Sequence, residues 1–259
     1  MSYALITGAS KGIGKAIAIE LASRDIPVLL VARNEALLQK VSAEIINTYK
    51  VEAKYLAIDL SSNTASQQVV DWCNQQSVKV HILVNNAGYG LSGLLEKYSL
   101  QEHEAMMQLN MCVPVALSYL LLPSMKQEKK AYIMNIASGA SYQAVPGLNV
   151  YAATKAFILS FSRGLRYELE NTSVSVTVVA PGATDTDFAN RASVTGAKAQ
   201  KMAAKFNMQP NDVAKIAVDG MFANKIEVIP GFVNKLAVFF AWLLPKKLLE
   251  KSAAGIYDL

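Results

Sequence analysis

Tyr151 and Lys155 are spaced so that the charge on one side chain can change the acidity of the other. Residues four apart lie on the same face of an α-helix. A free tyrosine, with a pKa of about 10, is a weak acid–base group near neutral pH, but a neighbouring ammonium favours its phenolate form. The pair could therefore move a proton to or from an oxygen atom. One such pair is expected by chance in a chain of this composition, so the context must decide.

Polar groups and turns stand where the apolar runs of the sequence end. They are Asn85-Asn86-Ala87-Gly88, Ser138, and Pro181-Gly182 with the following Thr184 and Thr186. Asn110 lies inside a long helical pattern between the first two. Ligands of doubly wound sheets bind outside the carboxyl ends of the strands. The arrangement therefore predicts one site that these groups share with Tyr151 and Lys155.

A glycine-rich turn, Thr7-Gly8-Ala9-Ser10-Lys11-Gly12-Ile13-Gly14, joins the first apolar run to a helical pattern. Glycine permits positive φ and close approach of the backbone, and a helix N-terminus offers unpaired N–H groups to a phosphate. The spacing is G-x-x-x-G-x-G rather than the G-x-G-x-x-G fingerprint. The turn favours pyrophosphate binding over a tight turn without a ligand.

Arg33 stands at the end of the second apolar run, where NAD sites usually carry an acid for the ribose 2′-hydroxyl. A guanidinium can bind a 2′-phosphate through two hydrogen bonds, and Lys11 adds a second positive charge. Glu35 is an opposing charge nearby, and an exposed arginine without a ligand is the alternative. We expect NADP(H) rather than NAD(H).

The elements that must position these residues alternate between strands and helices. The predicted strands are Ala4–Thr7, Pro27–Val31, Lys54–Ile58, Val80–Asn85, Ala131–Ala137, Val174–Ala180 and Lys225–Ile229. The helical patterns include Lys11–Arg24, Glu35–Tyr49, Gln101–Met125 and Tyr151–Glu170, the last with a predicted buried face of Phe157, Phe161, Leu165 and Leu169. The strands are almost continuously apolar, as in sheets buried on both faces. We predict a single-domain (residues 1–259) Rossmann-type α/β fold: a doubly wound parallel sheet of about seven strands with helices on both faces.

The composition of the 259-residue chain is that of a globular protein, with 52% hydrophobic and 17% charged residues. Cys73 and Cys112 are expected to be buried thiols, and with no secretory signal we expect a cytoplasmic protein. The net charge is +5, but no basic stripe with interleaved aromatic residues indicates nucleic-acid binding. His81 and His103, the only histidines, lack partners at ligand spacing, so no metal site is predicted.

Taken together, the motifs resemble those of the short-chain dehydrogenase/reductase family over roughly residues 3 to 230. The motifs are the glycine turn, Asp59 after the third strand, Asn85–Gly88, Asn110, Ser138, Tyr151/Lys155 and Pro181-Gly182. Asn86–Gly90 and Ile229–Gly231 resemble a bacterial branch that is similar to ketoacyl and hydroxysteroid reductases. Ala137 departs from the second serine that many members carry.

The resemblance implies that a hydride moves between a nicotinamide and a carbonyl carbon. Tyr151 would be the acid–base group, Lys155 would also hold the ribose hydroxyls, and Ser138 would donate a hydrogen bond to the carbonyl oxygen. Asn110 would position a water beside the lysine, and Asp59 would contact the adenine amine. The coenzyme contacts expected are Gly8, Ser10, Lys11, Gly12, Ile13, Gly14, Arg33, Asp59, Leu60, Asn86, Ala87, Gly88, Tyr151, Lys155, Pro181, Gly182, Thr184 and Thr186.

In this family the segment after the Pro-Gly turn forms a substrate lid, here about residues 183–207. It carries Phe188, Met202 and Phe206, and the other expected walls are Leu91, Tyr142, Val145 and Leu148. These side chains are mostly apolar, which favours an apolar ketone, aldehyde or 3-oxoacyl substrate. Asp185 and Asp187 are expected in a solvated loop rather than against the substrate.

The C-terminal extension, about residues 231–259, contains an apolar stretch, Phe232–Leu249, that is flanked by lysines. It could pack on the protein or over the site, form an oligomer interface, or contact a membrane surface. We expect packing first and membrane contact last, because soluble domains usually bury such helices. The family resemblance also implies a homodimer or homotetramer through the helices within Gln101–Met125 and Tyr151–Glu170.

The sequence therefore predicts an NADP(H)-dependent oxidoreductase that acts on a small-molecule carbonyl or alcohol. The alternative is a non-catalytic NADPH-binding sensor or scaffold. The complete set of Asn110, Ser138, Tyr151 and Lys155 favours the enzyme, because a sensor would not need all four.

Overall fold

A computed structural model of the chain describes residues 2–186, 188, 192 and 207–256. Seven strands form one sheet, and every pairing in it is parallel. The strands are β1 (Ser2–Thr7), β2 (Val28–Ala32), β3 (Ala53–Ala57), β4 (Lys79–Asn85), β5 (Ala131–Ile136), β6 (Val174–Val179) and β7 (Glu227–Val228). Their order is β3-β2-β1-β4-β5-β6-β7, so the winding reverses between β1 and β4. The predicted doubly wound sheet is confirmed.

Helices cover both faces of this sheet. The helices within the described residues are α1 (Gly12–Ala22), α2 (Glu35–Tyr49), α3 (Ala65–Gln75), α4 (Leu100–Met107), α5 (Val113–Met125), α6 (Asn149–Glu168), α7 (Pro210–Phe222), α8 (Phe232–Leu243) and α9 (Lys246–Ile256). Short 3₁₀ turns lie at Leu95–Lys97 and Gly139–Tyr142, and Gln108–Cys112 is π-helical. On one face pack α1, α2 and α7; on the other pack α3, α5 and the C-terminal part of α6.

The strands divide their apolar side chains between the two faces. In β1, Ala4 and Ile6 belong to the cluster with α1, α2 and α7, while Tyr3 and Leu5 belong to the cluster with α3 and α5. This alternation follows from the strand period of two residues. It explains why the strand sequences are apolar without interruption.

The observed elements differ from the predicted ones mainly at their ends. The third strand begins one residue earlier than expected, at Ala53, and the last is reduced to Glu227–Val228 because only two of its residues pair with β6. Helices α3 and α7 were not among the predicted helical patterns. For α7, Pro210 at the first turn was a usable signal, because proline is favoured at the start of a helix.

The predicted buried face of α6 is observed only at its C-terminal end, where Leu165 and Leu169 pack against the cluster with α3 and α5; neither phenylalanine is buried. Phe157 is 42% exposed and stacks on Phe161 with ring centroids 6.1 Å apart, whereas Tyr151, Thr154 and Lys155 are buried. In the N-terminal half of α6, polar groups occupy the inner face because they find hydrogen-bond partners there, so apolar spacing selected the wrong side for this half. Cys112, expected to be buried, is also exposed, while Cys73 is buried as expected.

The helical span Leu100–Met125, from α4 to α5, is long and apolar enough to cross a membrane by length and composition alone. In the structure, however, α5 packs against β4, β5 and α3. Its Leu117, Leu121 and Met125 are buried in the cluster on that face of the sheet. We therefore interpret this span as a core helix of the fold.

Candidate active site

The glycine turn lies at the point where the winding of the sheet reverses. The Thr7 hydroxyl donates to the carbonyl oxygen of Val84 (3.2 Å) and accepts the backbone N–H groups of Asn86 and Ala87 (3.0 Å each). One buried side chain therefore fixes the end of β1 against the end of β4. The turn after β1 and the Asn86–Gly88 segment are held together as predicted.

The glycines of this turn are required by close backbone contacts. Gly8 and Gly12 have φ values of +67° and +54°, where residues with a side chain are strained. A Cβ on Gly8 would lie 2.7 Å from Nδ2 of Asn86, and one on Gly14 would overlap the carbonyl oxygen of Gly8. The side-chain amide of Asn86 donates to the backbone carbonyl oxygen of Thr7 (2.9 Å).

Helix α1 starts at Gly12 in the way that suits an anionic ligand. Its N-cap residue, Lys11, makes no side-chain cap, and its first turn contains no acidic residue. The N–H groups of that turn and the positive end of the helix dipole therefore suit a pyrophosphate. Across from it, Thr186 Cγ2 lies 3.0 Å from the position of a Cβ on Gly12, which brings the Pro181–Thr186 loop to the same turn.

Arg33 and Asp59 meet at the ends of β2 and β3. Arg33 Nη1 lies 3.7 Å from Asp59 Oδ2, and both side chains are more than half exposed. Hydrogen bonds from the backbone and hydroxyl of Ser61, followed by the charge of Arg33, lower the pKa of Asp59. An exposed pair of this kind is weak. The guanidinium therefore stays accessible to a stronger anion.

Lys155 is buried with its ammonium group directed at the sheet. Its Nζ donates to the carbonyl oxygen of Ile136 (2.9 Å) at the end of β5. It lies 5.9 Å from the ring centroid of Tyr151, the spacing expected for neighbours on one helix face. Burial lowers the pKa of Lys155 to about 8.

Asn110 lies in the π-helical segment, where the wider turn brings its amide toward the end of β4. Its Oδ1 accepts the backbone N–H of Tyr89 (3.1 Å), and its Nδ2 donates to the Tyr89 oxygen (2.9 Å) and to Thr154 Oγ1 (3.0 Å). A Cβ on Gly88 would lie 2.9 Å from Asn110 Oδ1 and 3.5 Å from Lys155 Nζ. Gly88, Asn110 and Lys155 thus form one cradle, and π-helical segments are frequent at functional sites.

Ser138 caps the 3₁₀ turn that follows β5. Its hydroxyl accepts the backbone N–H of Ala140 (3.2 Å) and is half-buried. The next N–H, of Gly139, donates to the oxygen of Pro181 (2.7 Å), which joins the ends of β5 and β6. The hydroxyls of Thr184 and Thr186 bond to backbone groups of their own loop.

An apolar wall surrounds Tyr151. Phe188 lies with its ring centroid 5.2 Å from that of Tyr151. The same cluster includes the expected wall residues Leu91, Val145 and Leu148.

Tyr142 does not belong to this wall, contrary to expectation. It packs with Ile158, Leu159 and Ile229, and its hydroxyl donates to Glu227 Oε1 (2.7 Å). Leu60 is 3% exposed within the core, so a coenzyme could contact only its backbone.

Three of the expected lid residues, Asp187, Met202 and Phe206, lie outside the described residues.

Asn234 of α8 is a site neighbour that sequence analysis missed. Its amide fills the space over Gly182, where a Cβ would lie 2.6 Å from Nδ2, and donates to the oxygen of Pro230 (2.7 Å). The sequence offered no specific signal for Asn234, because α8 also carries the polar Lys235 next to it. Helix α8 is thereby attached to the Pro181-Gly182 turn.

Residues 2–197 match the family model of the short chain dehydrogenases. The match covers most of the chain, and the fold, the glycine turn and the Tyr151–Lys155 pair agree with it. The protein is a member of the short-chain dehydrogenase/reductase family of oxidoreductases, which use a nicotinamide coenzyme and act on small molecules.

Among its relatives is an uncharacterized oxidoreductase of Staphylococcus saprophyticus, 30% identical over 83% of this chain and 88% of the relative. The human inactive hydroxysteroid dehydrogenase-like protein 1 is 34% identical over 69% of this chain, which spans about half (54%) of that protein. A short-chain dehydrogenase from Sphingobium yanoikuyae, solved in complex with NADPH, superposes with a TM-score of 0.82 at 27% identity, covering 100% of this chain and 95% of the other.

Proposed function

We propose that this protein is an NADP(H)-dependent oxidoreductase that interconverts an apolar ketone, aldehyde or 3-oxoacyl compound and its alcohol. The observation that carries the proposal is the cradle at Gly88. There Asn110 and the buried ammonium of Lys155 converge beside Tyr151, at the carboxyl ends of the strands. Burying a cation lowers the stability of the fold, because the charge loses its hydration. Groups with such perturbed pKa values concentrate at active sites, where their acid–base properties are used.

The nicotinamide supplies or accepts the hydride. The residues of the chain handle the proton: the ammonium of Lys155 favours the phenolate of Tyr151, so that Tyr151 can exchange a proton with the alcohol oxygen. The Ser138 hydroxyl accepts the Ala140 N–H in the structure, so its own proton can be donated to the carbonyl oxygen and stabilise the developing charge there. Asn110 holds the Tyr89 backbone and donates to Thr154, the residue before Lys155.

Coenzyme preference is proposed from Arg33. Its guanidinium is 59% exposed at the end of β2, where Val31-Ala32-Arg33-Asn34 contains no acid. A 2′-phosphate carries more charge than the Asp59 carboxylate that Arg33 meets now, and it can accept two hydrogen bonds from one guanidinium. Two solved relatives support this preference: the Sphingobium yanoikuyae dehydrogenase in complex with NADPH, and an alcohol dehydrogenase from Thermococcus sibiricus complexed with 5-hydroxy-NADP (26% identical, TM-score 0.77). A structural neighbour from Burkholderia phymatum, 23% identical, was solved with NAD.

The substrate class is proposed from the wall around Tyr151. Phe188, Leu91, Val145 and Leu148 present apolar surface beside the phenol. The bulky-bulky ketone specific alcohol dehydrogenase of Comamonas testosteroni, 28% identical with a TM-score of 0.77, supports a ketone or its alcohol.

Calorimetric titration with NADPH and NADH, on the wild type and on Arg33→Ala, tests the coenzyme proposal. We expect the wild type to prefer NADPH, and the variant to lose roughly tenfold or more in NADPH affinity with little change for NADH. Lys40→Ala, at an exposed position on α2, is the control. Equal affinities for both coenzymes in the wild type would refute the role of Arg33. A screen of apolar ketones and aldehydes with the preferred coenzyme then tests the reaction.

A second candidate is a non-catalytic NADPH-binding protein, which the similarity to an inactive human relative favours. The two candidates differ in turnover. NADPH binding without oxidation by any apolar carbonyl, and without a difference between the wild type and Tyr151→Phe, would favour the sensor.

We also propose a homo-oligomer formed through α5 and α6. Tyr119 and Tyr167 on these helices are 75% and 65% exposed. Exposed aromatic side chains of this kind are available for contact with a second copy of the chain. Sedimentation equilibrium of the wild type and of Tyr119→Lys tests this, with a smaller mass expected for the variant.

A further inference from the structure

The outer surface of α8 is apolar and open to solvent. Phe232, Phe239 and Trp242 are 79%, 52% and 76% exposed, and only Ala241 of this helix is buried. Leu236 and Leu243 continue the same surface, which we call the α8 face. Single exposed apolar residues are ordinary, but a contiguous aromatic and aliphatic face indicates an interaction site.

The charges around the α8 face have one sign. Lys235 is the only charged residue of α8 itself, and Lys246, Lys247 and Lys251 follow in α9, with Glu250 as the single acid of the two helices. All four lysines are exposed. Lys246 also donates to the oxygen of Ala241 (2.8 Å), which ties the start of α9 to the end of α8. Lys246 is thereby held at the end of the α8 face, Lys235 lies within α8, and Lys247 and Lys251 follow in α9.

We propose that the α8 face docks the protein on a membrane surface that contains anionic lipids. The helix has twelve residues, about 18 Å, so it is too short to span a bilayer and would lie in the plane of the interface. There Phe232, Phe239 and Trp242 would enter the boundary between headgroups and acyl chains. The lysines would meet the anionic headgroups, which is the usual arrangement of interfacial helices.

A second copy of the chain fits this face less well than a lipid surface. In a symmetric dimer each residue of the patch would meet the same patch of the partner. The lysines of one copy would then approach those of the other, with Glu250 as the only acid of α8 and α9 to offset them. Such like-charge contacts oppose association, whereas anionic lipids complement them.

The docked face would lie next to the candidate active site. Asn234, on the inner side of α8, fills the space over Gly182. Its Nδ2 lies 3.8 Å from Sδ of Met208. Membrane contact through the α8 face would therefore hold the Pro181-Gly182 turn close to the lipid surface. The docking proposal goes beyond the proposed function and does not depend on it, because vesicle binding is measured without coenzyme or substrate.

Trp242 provides a direct readout. The chain contains two tryptophans, so Trp72→Phe leaves Trp242 as the single reporter. This protein is titrated with vesicles of phosphatidylcholine, with and without phosphatidylglycerol, and flotation is measured in parallel. We expect a blue shift of Trp242 emission and flotation with the anionic vesicles, and much weaker binding to phosphatidylcholine alone.

Two variants in this background separate the apolar and charged contributions. Phe232→Ser/Phe239→Ser should lower the affinity for anionic vesicles at least tenfold, while Ile46→Ser/Ile216→Ser, exposed on α2 and α7, should not. Lys247→Glu/Lys251→Glu should lower it about thirtyfold or more. The matched pair Lys129→Glu/Lys130→Glu, away from α8, should change it less than about threefold. Thermal unfolding confirms that each variant is folded.

Three outcomes would overturn the proposal. The first is Trp242 emission that no vesicle shifts. The second is equal binding to both vesicle types, which would remove the role of anionic headgroups. The third is a blue shift that depends on protein concentration without vesicles and disappears in Phe232→Ser/Phe239→Ser, which would assign the face to a second copy of the chain.

Discussion

Lys155 carries an electrostatic cost, because its ammonium group is buried in the site. It is fully buried, and desolvation lowers its pKa to about 8 from the ordinary value of 10.5. Between these two values the unfolded chain binds more protons than the folded one, so the free energy of unfolding rises with pH in this window. The cost of the buried ammonium is present in full below pH 8 and is relieved as the pH approaches 10.5.

Lys155→Met tests this directly, because it keeps an unbranched side chain without the charge. The unfolding free energy of the wild type minus that of the variant should rise by about 3 kcal/mol between pH 8 and pH 10.5 and stay flat below pH 8. Urea unfolding across this range provides the measurement. Lys40→Met, on the exposed side of α2, is the control. A difference that does not change with pH would show that Lys155 is solvated in the folded protein.

Tyr151 should be replaceable without harm to the fold. Tyr151→Phe keeps the ring, which packs at 5.2 Å from Phe188, and removes only the hydroxyl. We expect kcat to fall by about 10²- to 10⁴-fold, as for loss of an acid–base group, with coenzyme affinity nearly unchanged. Steady-state assays and coenzyme titration measure the two quantities. Tyr167→Phe, exposed on the same helix, should leave both unchanged, and a Tyr151→Phe enzyme of normal kcat would exclude the proposed role.

At the scale of single residues, the sequence predicted the groups at the site better than their contacts. The Tyr151–Lys155 spacing placed both on one helix face, as observed. Asn234 could not be predicted, because its position over Gly182 depends on how α8 returns to the sheet. Tyr142 was assigned to the wrong wall because its hydrogen bond to Glu227 joins residues far apart in the chain.

Among the elements, the π-helical turn at Gln108–Cys112 has the clearest functional consequence. A regular pattern from Gln101 to Met125 gave no sign of it, because a single wide turn does not disturb the apolar spacing. It brings Asn110 to the Tyr89 backbone and to Thr154. Likewise the inner face of α6 was not predictable from apolar spacing, because Ser162 and Thr154 are buried through hydrogen bonds.

Asn110→Ala should therefore weaken the junction of α4 and α5 with the end of β4. The variant loses two bonds to Tyr89 and one to Thr154, inside the protein where water cannot replace them readily. We expect a loss of about 2–4 kcal/mol in unfolding free energy and a lower kcat. Chemical denaturation and assays measure these effects. Asn74→Ala, exposed on α3, should cost little, and a similar small cost for Asn110→Ala would show that the bonds are dispensable.

At the scale of the whole molecule, the continuous apolar strands predicted a sheet buried on both faces, and this is observed. The order β3-β2-β1-β4-β5-β6-β7 was not predicted, because pairing between distant strands leaves no local signal in the sequence. The exposure of α8 was not expected either. Its apolar pattern is the same whether protein, lipid or solvent faces it.

The two cysteines can be used to measure this burial, because one is buried and the other is exposed. Cys73 lies on the buried face of α3, and burial raises its pKa to about 12, whereas Cys112 is exposed on the π-helical turn. The thiolate is the reactive form, so Cys112 should react with a disulfide reagent at pH 8 in seconds to minutes. Cys73 should react only as fast as the protein opens.

Labelling of Cys112→Ser and Cys73→Ser separates the two rates, and a urea series relates the slow rate to stability. Folding favours the neutral Cys73 thiol, so its contribution to stability is complete below about pH 9 and is lost as the pH rises toward 12. The slow labelling rate should therefore increase at high pH by more than the thiolate fraction alone requires. Fast labelling of Cys73 in the absence of urea would contradict the packing of α3 against the sheet. That packing forms part of the apolar cluster with α3 and α5.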